Sequence, residues 1–406
     1  MNSSVSSDPA PAPVLTRAQV ALALALLLGL QPVTTDLYLP ALPQLTRALG
    51  ASLSAAQQTM AALLLAFGLG QLLLGPLADR VGRRPVLLGG LMLYTVAAAG
   101  GALAGSVEAL VAWRALQGLG LAAAVVCSRA LLRDLYEPVV GAQVMAWGMS
   151  GLGLIAIASP TLGGVLAAWA GWRAPLVAVA VVGALALAYV ALHVPETATR
   201  LRADAMRPAV LLPTWARVAR HPVFAAWALL TSATYGGLFI MLAGSSFVYI
   251  DVLGLSPAAY GGVLGTGSLA YIAGTFVCRR WVRRHGPVGA VQRGAWFTLA
   301  GGLGMALPAA LGVQSVWAIA LPQMLFALGH GVHQPCSQAG AVGPFPDHAG
   351  AASALAGFVL AAVAFFIGLW LGRALDGTVR PLAYGVGVAA LLTCGIAWTL
   401  VRRLGR

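Results

Sequence analysis

Long apolar runs separated by short polar links account for almost the whole chain. A helix crosses a bilayer with about 20 apolar residues. Runs of that kind recur near 18–43, 56–77, 85–105, 108–131, 140–168, 174–193, 223–249, 258–278, 288–312, 315–337, 350–372 and 382–401. Strand-like alternation is absent, so helices are expected rather than a barrel. The pattern predicts an all-α membrane protein with twelve transmembrane helices. The longest polar link falls between the sixth and seventh runs. It sets the expected organisation: a disordered tail over 1–17, a six-helix bundle over 18–194, a linker over 195–221, a second six-helix bundle over 222–402 and a short tail over 403–406.

Composition agrees with this. The chain has 406 residues, of which 60% are hydrophobic and only 9% charged, against about 25% charged in soluble domains. Its 50 glycines suit close helix packing in lipid. The net charge of +13 raises nucleic acid as a partner. The basic residues sit in short clusters between apolar runs, so the bilayer is the expected partner instead. All 24 of them are Arg. Cys127, Cys278, Cys336 and Cys394 are widely spaced and suggest neither a metal site nor a disulfide framework. Residues 1–13 lack the basic start of a signal peptide, so the first run is expected to be a retained span.

Arginine placement predicts orientation. With the N-terminus inside, Arg17, Arg80, Arg83, Arg84, Arg133 and the clusters over 200–220, 279–293 and 402–406 all lie inside. Only Arg47, Arg173, Arg373 and Arg380 lie outside. Both termini are therefore expected in the cytoplasm. Trp215 and its neighbouring arginines suit a short helix on the membrane face of the linker.

One acid interrupts the first run. Asp36 is the only carboxylate between Asp8 and Asp79, and on insertion scales such a group costs roughly 2.5–3.5 kcal/mol. A chain keeps one when it is paired or when it cycles between charged and neutral forms. Arg114 lies at a matching depth in the fourth run. Proton coupling through Asp36 and Arg114 is one reading of the two, and a static ion pair is the other. Pro32 and Pro40 flank Asp36 and loosen the helix. Gln117 lies one turn from Arg114, placed to orient it, to bond a substrate or simply to pack.

The halves echo one another faintly. The second link reads Gly75-Pro-Leu-Ala-Asp79-Arg80-Val-Gly82-Arg83-Arg84-Pro85. The equivalent link of the second half reads Arg279-Arg280-Trp-Val-Arg283-Arg284-His285-Gly286-Pro287. Parallel six-span repeats with a site between them are one plan for a transporter.

These residues resemble the major facilitator superfamily. The Gly75–Pro85 link resembles its G-x-x-x-D-R-x-G-R-R-P motif, and Arg114-Ala-Leu-Gln117-Gly118-Leu-Gly120 its R-x-x-Q-G-x-G element. Ser159-Pro160-Thr-Leu-Gly163-Gly164 is similar to the G-P-x-x-G-G element of its antiporters, with Ser159 where Gly is usual. Asp36-Leu-Tyr38-Leu-Pro40-Ala-Leu-Pro43 resembles the Bcr/CflA group of drug exporters, as does the run Gly343–Leu355. Ser245-Ser246-Phe247 departs from that group's Ser-Pro-Phe. The resemblance implies two bundles, alternating access and drug/proton antiport driven by the proton gradient, with no cofactor. It suggests phenicols, bicyclomycin-like drugs or sulphonamides as cargo. An exporter of a natural metabolite or siderophore shares the mechanism. A membrane-embedded enzyme is the other class, but neither a nucleophile motif nor a metal cluster is visible. A monomer is expected.

The candidates follow from this. Asp36 and Arg114 would couple protons. Asp36, Tyr38, Arg114, Gln117, Tyr235, Phe239, His330, Gln334 and Phe358 are candidate substrate contacts, and Tyr271, Phe365 and Phe366 are further candidate aromatics. Any one aromatic faces lipid or a neighbouring helix more often than a ligand. Gly75, Asp79, Arg80, Gly82, Arg83 and Arg84 would form a conformational latch, with a phosphate loop as the weaker alternative. Pro160, Gly163 and Gly164 would form a packing hinge. His330 and His333, at i and i+3, are read as a helix contact, a polar cavity wall or a second proton site. Arg129 and Arg133 lie near the inner end of the fourth run, Arg133 as an interfacial anchor.

Overall fold

The computed structural model describes residues 15–198 and 201–405. Of the tail expected over 1–17, residues 1–14 lie outside them, as do 199, 200 and 406, while Arg17 already begins the first helix. The first half comprises α1 (Arg17–Asp36), α2 (Leu42–Ala48), α3 (Leu53–Val81), α4 (Arg83–Ala102), α5 (Val107–Leu135), α6 (Pro138–Ala170) and α7 (Arg173–His193). A link carrying α8 (Pro208–Ala219) leads to α9 (Pro222–Ser246), α10 (Pro257–Ala310), α11 (Val316–Val342), α12 (Ala349–Ala374), α13 (Arg380–Trp398) and α14 (Leu400–Leu404).

Helix starts are written locally. Thr16 caps α1 in a reciprocal box with Gln19. Ser52, Ser106 and Ser256 each accept from the amide three residues on. Each thereby satisfies a donor that a helix start leaves open.

Among the described residues ten helices are long and apolar enough to span a membrane. One of them, α10, runs to 54 residues and breaks at Gly286, where φ is 69°, so it supplies two spans, 257–285 and 287–310. The remaining span is α11, whose second half is diluted by His330, His333, Gln334, Ser337 and Gln338. The protein therefore has twelve spanning helices, six on each side of the link. Large apolar side chains such as Leu103, Trp169 and Leu311 are more than four-fifths exposed. In a chain that crosses lipid these form its outer belt.

Gly286 also sharpens the internal echo. Gly82, with φ 107°, occupies the equivalent point between α3 and α4. At both positions a left-handed residue, where a side chain would be strained, turns one span into the next.

The first run departs from the single helix expected over 18–43. Helix α1 stops at Asp36, and a short 3₁₀ turn over Leu39–Ala41 leads into α2. Pro40, near the start of that turn, has no amide to continue the ladder. Pro32, by contrast, is carried within α1.

Within the first half α1 packs on α6, and α5 packs on α3 and α4. In the second half α9 packs on α11 and α13, and α10 packs on α11 and α13. The halves meet along two seams, α3 against α12 and α6 against α10. In the link, α8 forms where Trp215 suggested it and sets Val218 into the second half's core.

Candidate functional site

Between the halves lies a cavity of about 600 Å³. One end lies toward the arginine-rich links, where Arg129, Gln338 and Ala339 are exposed. The other end reaches Asp36, Pro160 and Leu264. Beyond it the α6–α10 seam closes. A Cβ on Gly164 would strike the Pro257 carbonyl, and one on Gly261 the Pro160 carbonyl; within the first half, one on Gly163 would strike the Leu37 carbonyl just beyond α1. Only glycine allows backbones to approach this closely. On that same face Arg47 bridges to Asp251 of the second half at 2.7 Å. Both side chains are open to solvent, so the pair itself contributes little.

Asp36 ends α1 with its carboxyl group on the cavity wall. The Thr35 hydroxyl donates to Asp36 Oδ1 at 2.7 Å. Among the described residues no cation lies within ion-pair distance of it. The expected pairing with Arg114 is therefore not made here. Arg114 is buried one layer back. Its Nη2 donates to the Thr34 carbonyl at 3.1 Å and its Nη1 to Gln117 Oε1 at 2.8 Å. Its guanidinium also stacks 4.3 Å from the centroid of Tyr38.

The reason is the early stop of α1. Its last carbonyls have no helical donors, and a helix C-terminus attracts a cation. Thr34 also meets the Tyr94 hydroxyl at 2.6 Å, and the Tyr38 hydroxyl meets Thr59 at 2.8 Å. A buried polar layer thus holds the turn from which Asp36 projects.

The second half supplies the facing wall. Tyr235, Tyr271, His330 and Gln334 line the cavity. His330 Nδ1 meets Thr234 Oγ1 at 3.1 Å, and its ring lies 5.6 Å from Tyr271 and 6.3 Å from Tyr235. His333 departs from it. It is buried inside the second bundle, with Nε2 3.1 Å from Thr298.

Of the candidate substrate contacts, Asp36, Tyr235, His330 and Gln334 reach the cavity. Tyr38, Arg114 and Gln117 are buried behind it. Phe239 packs in the core beside Tyr235, and Phe358 packs on Gly68 in the α3–α12 seam. Phe366 is exposed on the outer surface. Sequence reasoning missed Gln31, Met145, Met149, Ser268 and Gln323 and left Arg129 unassigned, yet all six line the cavity. Only Arg129 carried a sequence signal, as a charge within an apolar run.

The Gly75–Pro85 link forms a polar knot within the first half. Arg83 bonds Asp79 at 2.5 Å and Asp134 of α5 at 3.1 Å. Glu196 accepts from the backbone amides of Arg83 and Arg84 at 2.9 and 3.1 Å, so a carboxylate sits on the α4 N-terminus. Arg84 donates to the carbonyls of Val194 and Ala191. The amide of Arg202 donates to the Asp79 carbonyl at 2.9 Å. The knot therefore ties α3, α4 and α5 to the start of the inter-half link, a partner the motif did not reveal.

Burial pushes the Glu196 carboxyl up. The amides of Ala198, Arg83, Arg84 and Thr197 more than offset this, and its pKa lies below the ordinary 4.5. The bonded form is the ionised one. This tie is thus complete above the ordinary carboxylate range and is lost as pH falls through the depressed value. Glu196→Ala is expected to cost about 1 kcal/mol at neutral pH, as for loss of a helix-capping side chain. Thermal unfolding in detergent should show the gap from wild type closing in acid; a gap independent of pH would remove the charge from the account.

The comparisons with known proteins agree with this architecture. Residues 24–369 match the family model described as Major Facilitator Superfamily. The chain belongs to the Major Facilitator Superfamily. Among its superfamily relatives, a chloramphenicol resistance protein of Pseudomonas aeruginosa is 31% identical over 90% of this chain and 82% of its own length. Multidrug resistance protein D of Escherichia coli (strain K12) is 31% identical over 83% of this chain and 84% of its own. Among solved structures, a D-xylose–proton symporter superposes with a TM-score of 0.71 at 17% identity, covering 92% of this chain and 96% of that one. That likeness supports the fold alone. The chain is thus a multi-pass membrane transporter of the superfamily, related to drug-resistance exporters, and not an enzyme.

Proposed function

We propose that this transporter exports small amphiphilic compounds, phenicols or bicyclomycin-like drugs among them, in exchange for protons. The observation that carries the reading is the cavity itself. It is apolar over most of its wall, as ligand sites are, and it holds one carboxylate, Asp36, at its closed end. Relatives named for chloramphenicol and multidrug resistance support the choice of cargo.

The arginine-rich links put both termini and the cavity mouth in the cytoplasm of a bacterial inner membrane. Cargo enters there as a monomeric transporter stands open to the cytoplasm. Asp36 is then ionised, held by Thr35. Rocking of the halves opens the Gly164–Pro257 seam outward, and Asp36 takes a proton from that side. Pro160, Gly163 and Gly164 act as the hinge of this motion. The Asp79–Arg83 knot sets which face is closed. Arg114, bonded two residues from Asp36, becomes the neighbour that draws the proton off again. Each cycle spends the proton gradient and leaves cargo outside.

A drug-susceptibility panel in an efflux-deficient bacterium tests this. Expression should raise the inhibitory concentration of phenicols, and a protonophore should erase the rise. Protection that survives the protonophore would exclude proton exchange. Protection against none of the panel, with metabolite profiling showing an exported natural product, would replace the drug reading.

A further inference from the structure

Among the described residues lining the cavity, Arg129 is an arginine that the exchange mechanism does not use. It lies on α5, exposed at the cavity wall. Its Nη1 donates to Ser353 Oγ of α12 at 2.8 Å, across the gap between the halves. Among the described residues no carboxylate lies within ion-pair distance of it. A guanidinium at this depth is expected to face a water-filled cavity or to find a partner. A neutral hydroxyl answers one of its five donors.

We propose that Arg129 is an anion-recognition residue, selecting amphiphiles that carry a carboxylate or sulfonate on an apolar body. This rests on the exporter reading and names a substrate class for the same cavity. Guanidinium matches the planar, two-oxygen face of such groups. Met145 and Met149 line the cavity beside α5, and their flexible thioethers adapt to varied apolar bodies. Gln334 and Gln338, one turn apart on α11, line the facing wall.

Asp36 does not oppose this. Fifteen residues of one helix separate Arg129 from Arg114, roughly 22 Å at 1.5 Å per residue. Arg114 bonds the turn that carries Asp36. An anion held at Arg129 therefore sits toward the opposite end of the cavity from the Asp36 carboxylate. One end of the cavity takes the anion while the other exchanges the proton.

Two phenicols test it, because they share an aryl-propanol dichloroacetamide scaffold and differ in charge; comparing each variant with wild type cancels their other differences. Florfenicol is neutral; chloramphenicol succinate carries a carboxylate. Binding of each to the purified full-length protein is measured for wild type, R129Q and R129K. Wild type should bind both. R129Q should lower the affinity for the succinate ester relative to florfenicol by about tenfold or more, the scale of a charge-assisted hydrogen bond. R129K should recover most of that ratio. A ratio unchanged in R129Q overturns the assignment and leaves the exporter reading standing, as does a wild type that binds florfenicol alone. Binding of neither probe by wild type sinks the phenicol reading and this inference with it.

Discussion

Asp36→Asn is expected to abolish proton-driven export while the protein still folds and inserts. Asparagine keeps the shape and can still accept the Thr35 hydroxyl that now bonds Oδ1 at 2.7 Å. It cannot gain or lose a proton. Among the described residues Asp36 is the only carboxylate on the cavity wall, so no neighbouring acid described there can take over. Cells carrying the variant should be as drug-sensitive as cells without the transporter. Inverted vesicles should show no substrate-dependent collapse of a pH gradient, while the purified variant still binds a phenicol. Undiminished resistance would remove Asp36 from the mechanism.

The second large effect is at Arg114. Arg114→Ala withdraws the donors now serving the Thr34 carbonyl and Gln117 Oε1. Each acceptor left buried without a partner costs about 1–3 kcal/mol. The turn after Asp36 then loses the cation that holds the end of α1. Export should be lost, and the melting temperature in detergent should fall with it. Tyr38, 4.3 Å from the guanidinium, and Gln117 should both loosen, which hydrogen exchange at the amides of 36–39 would record. Full export with a normal melting temperature would leave Arg114 a passive packing group.

How far the site was legible in the sequence differs residue by residue. Asp36 stands out because a carboxylate in an apolar run is costly and needs a reason. Tyr235, His330 and Gln334 were also read from their positions on spans, and they reach the cavity. Phe239 and Phe358 carried the same kind of signal and do not reach it. Periodicity places a residue on a helix face, but it does not say whether that face meets the cavity, the core or the other half. Arg114 and Asp36 were matched in depth, and depth is right. Their azimuth was not available from sequence, and the guanidinium found the end of α1 instead.

The chain's own pattern determined the number of spans, the six-and-six division, the arginine-rich face and the equivalent turns at Gly82 and Gly286. These follow from local physics: the length of a bilayer crossing, the cost of charge in lipid and the freedom of a glycine. Only the tertiary structure decided that Asp36 has no cation beside it among the described residues, that the knot around Arg83 recruits Glu196 and Asp134, and that Arg129 faces the cavity. Each depends on which side chains helices distant in sequence bring within a few ångströms of one another, and no local rule encodes that distance.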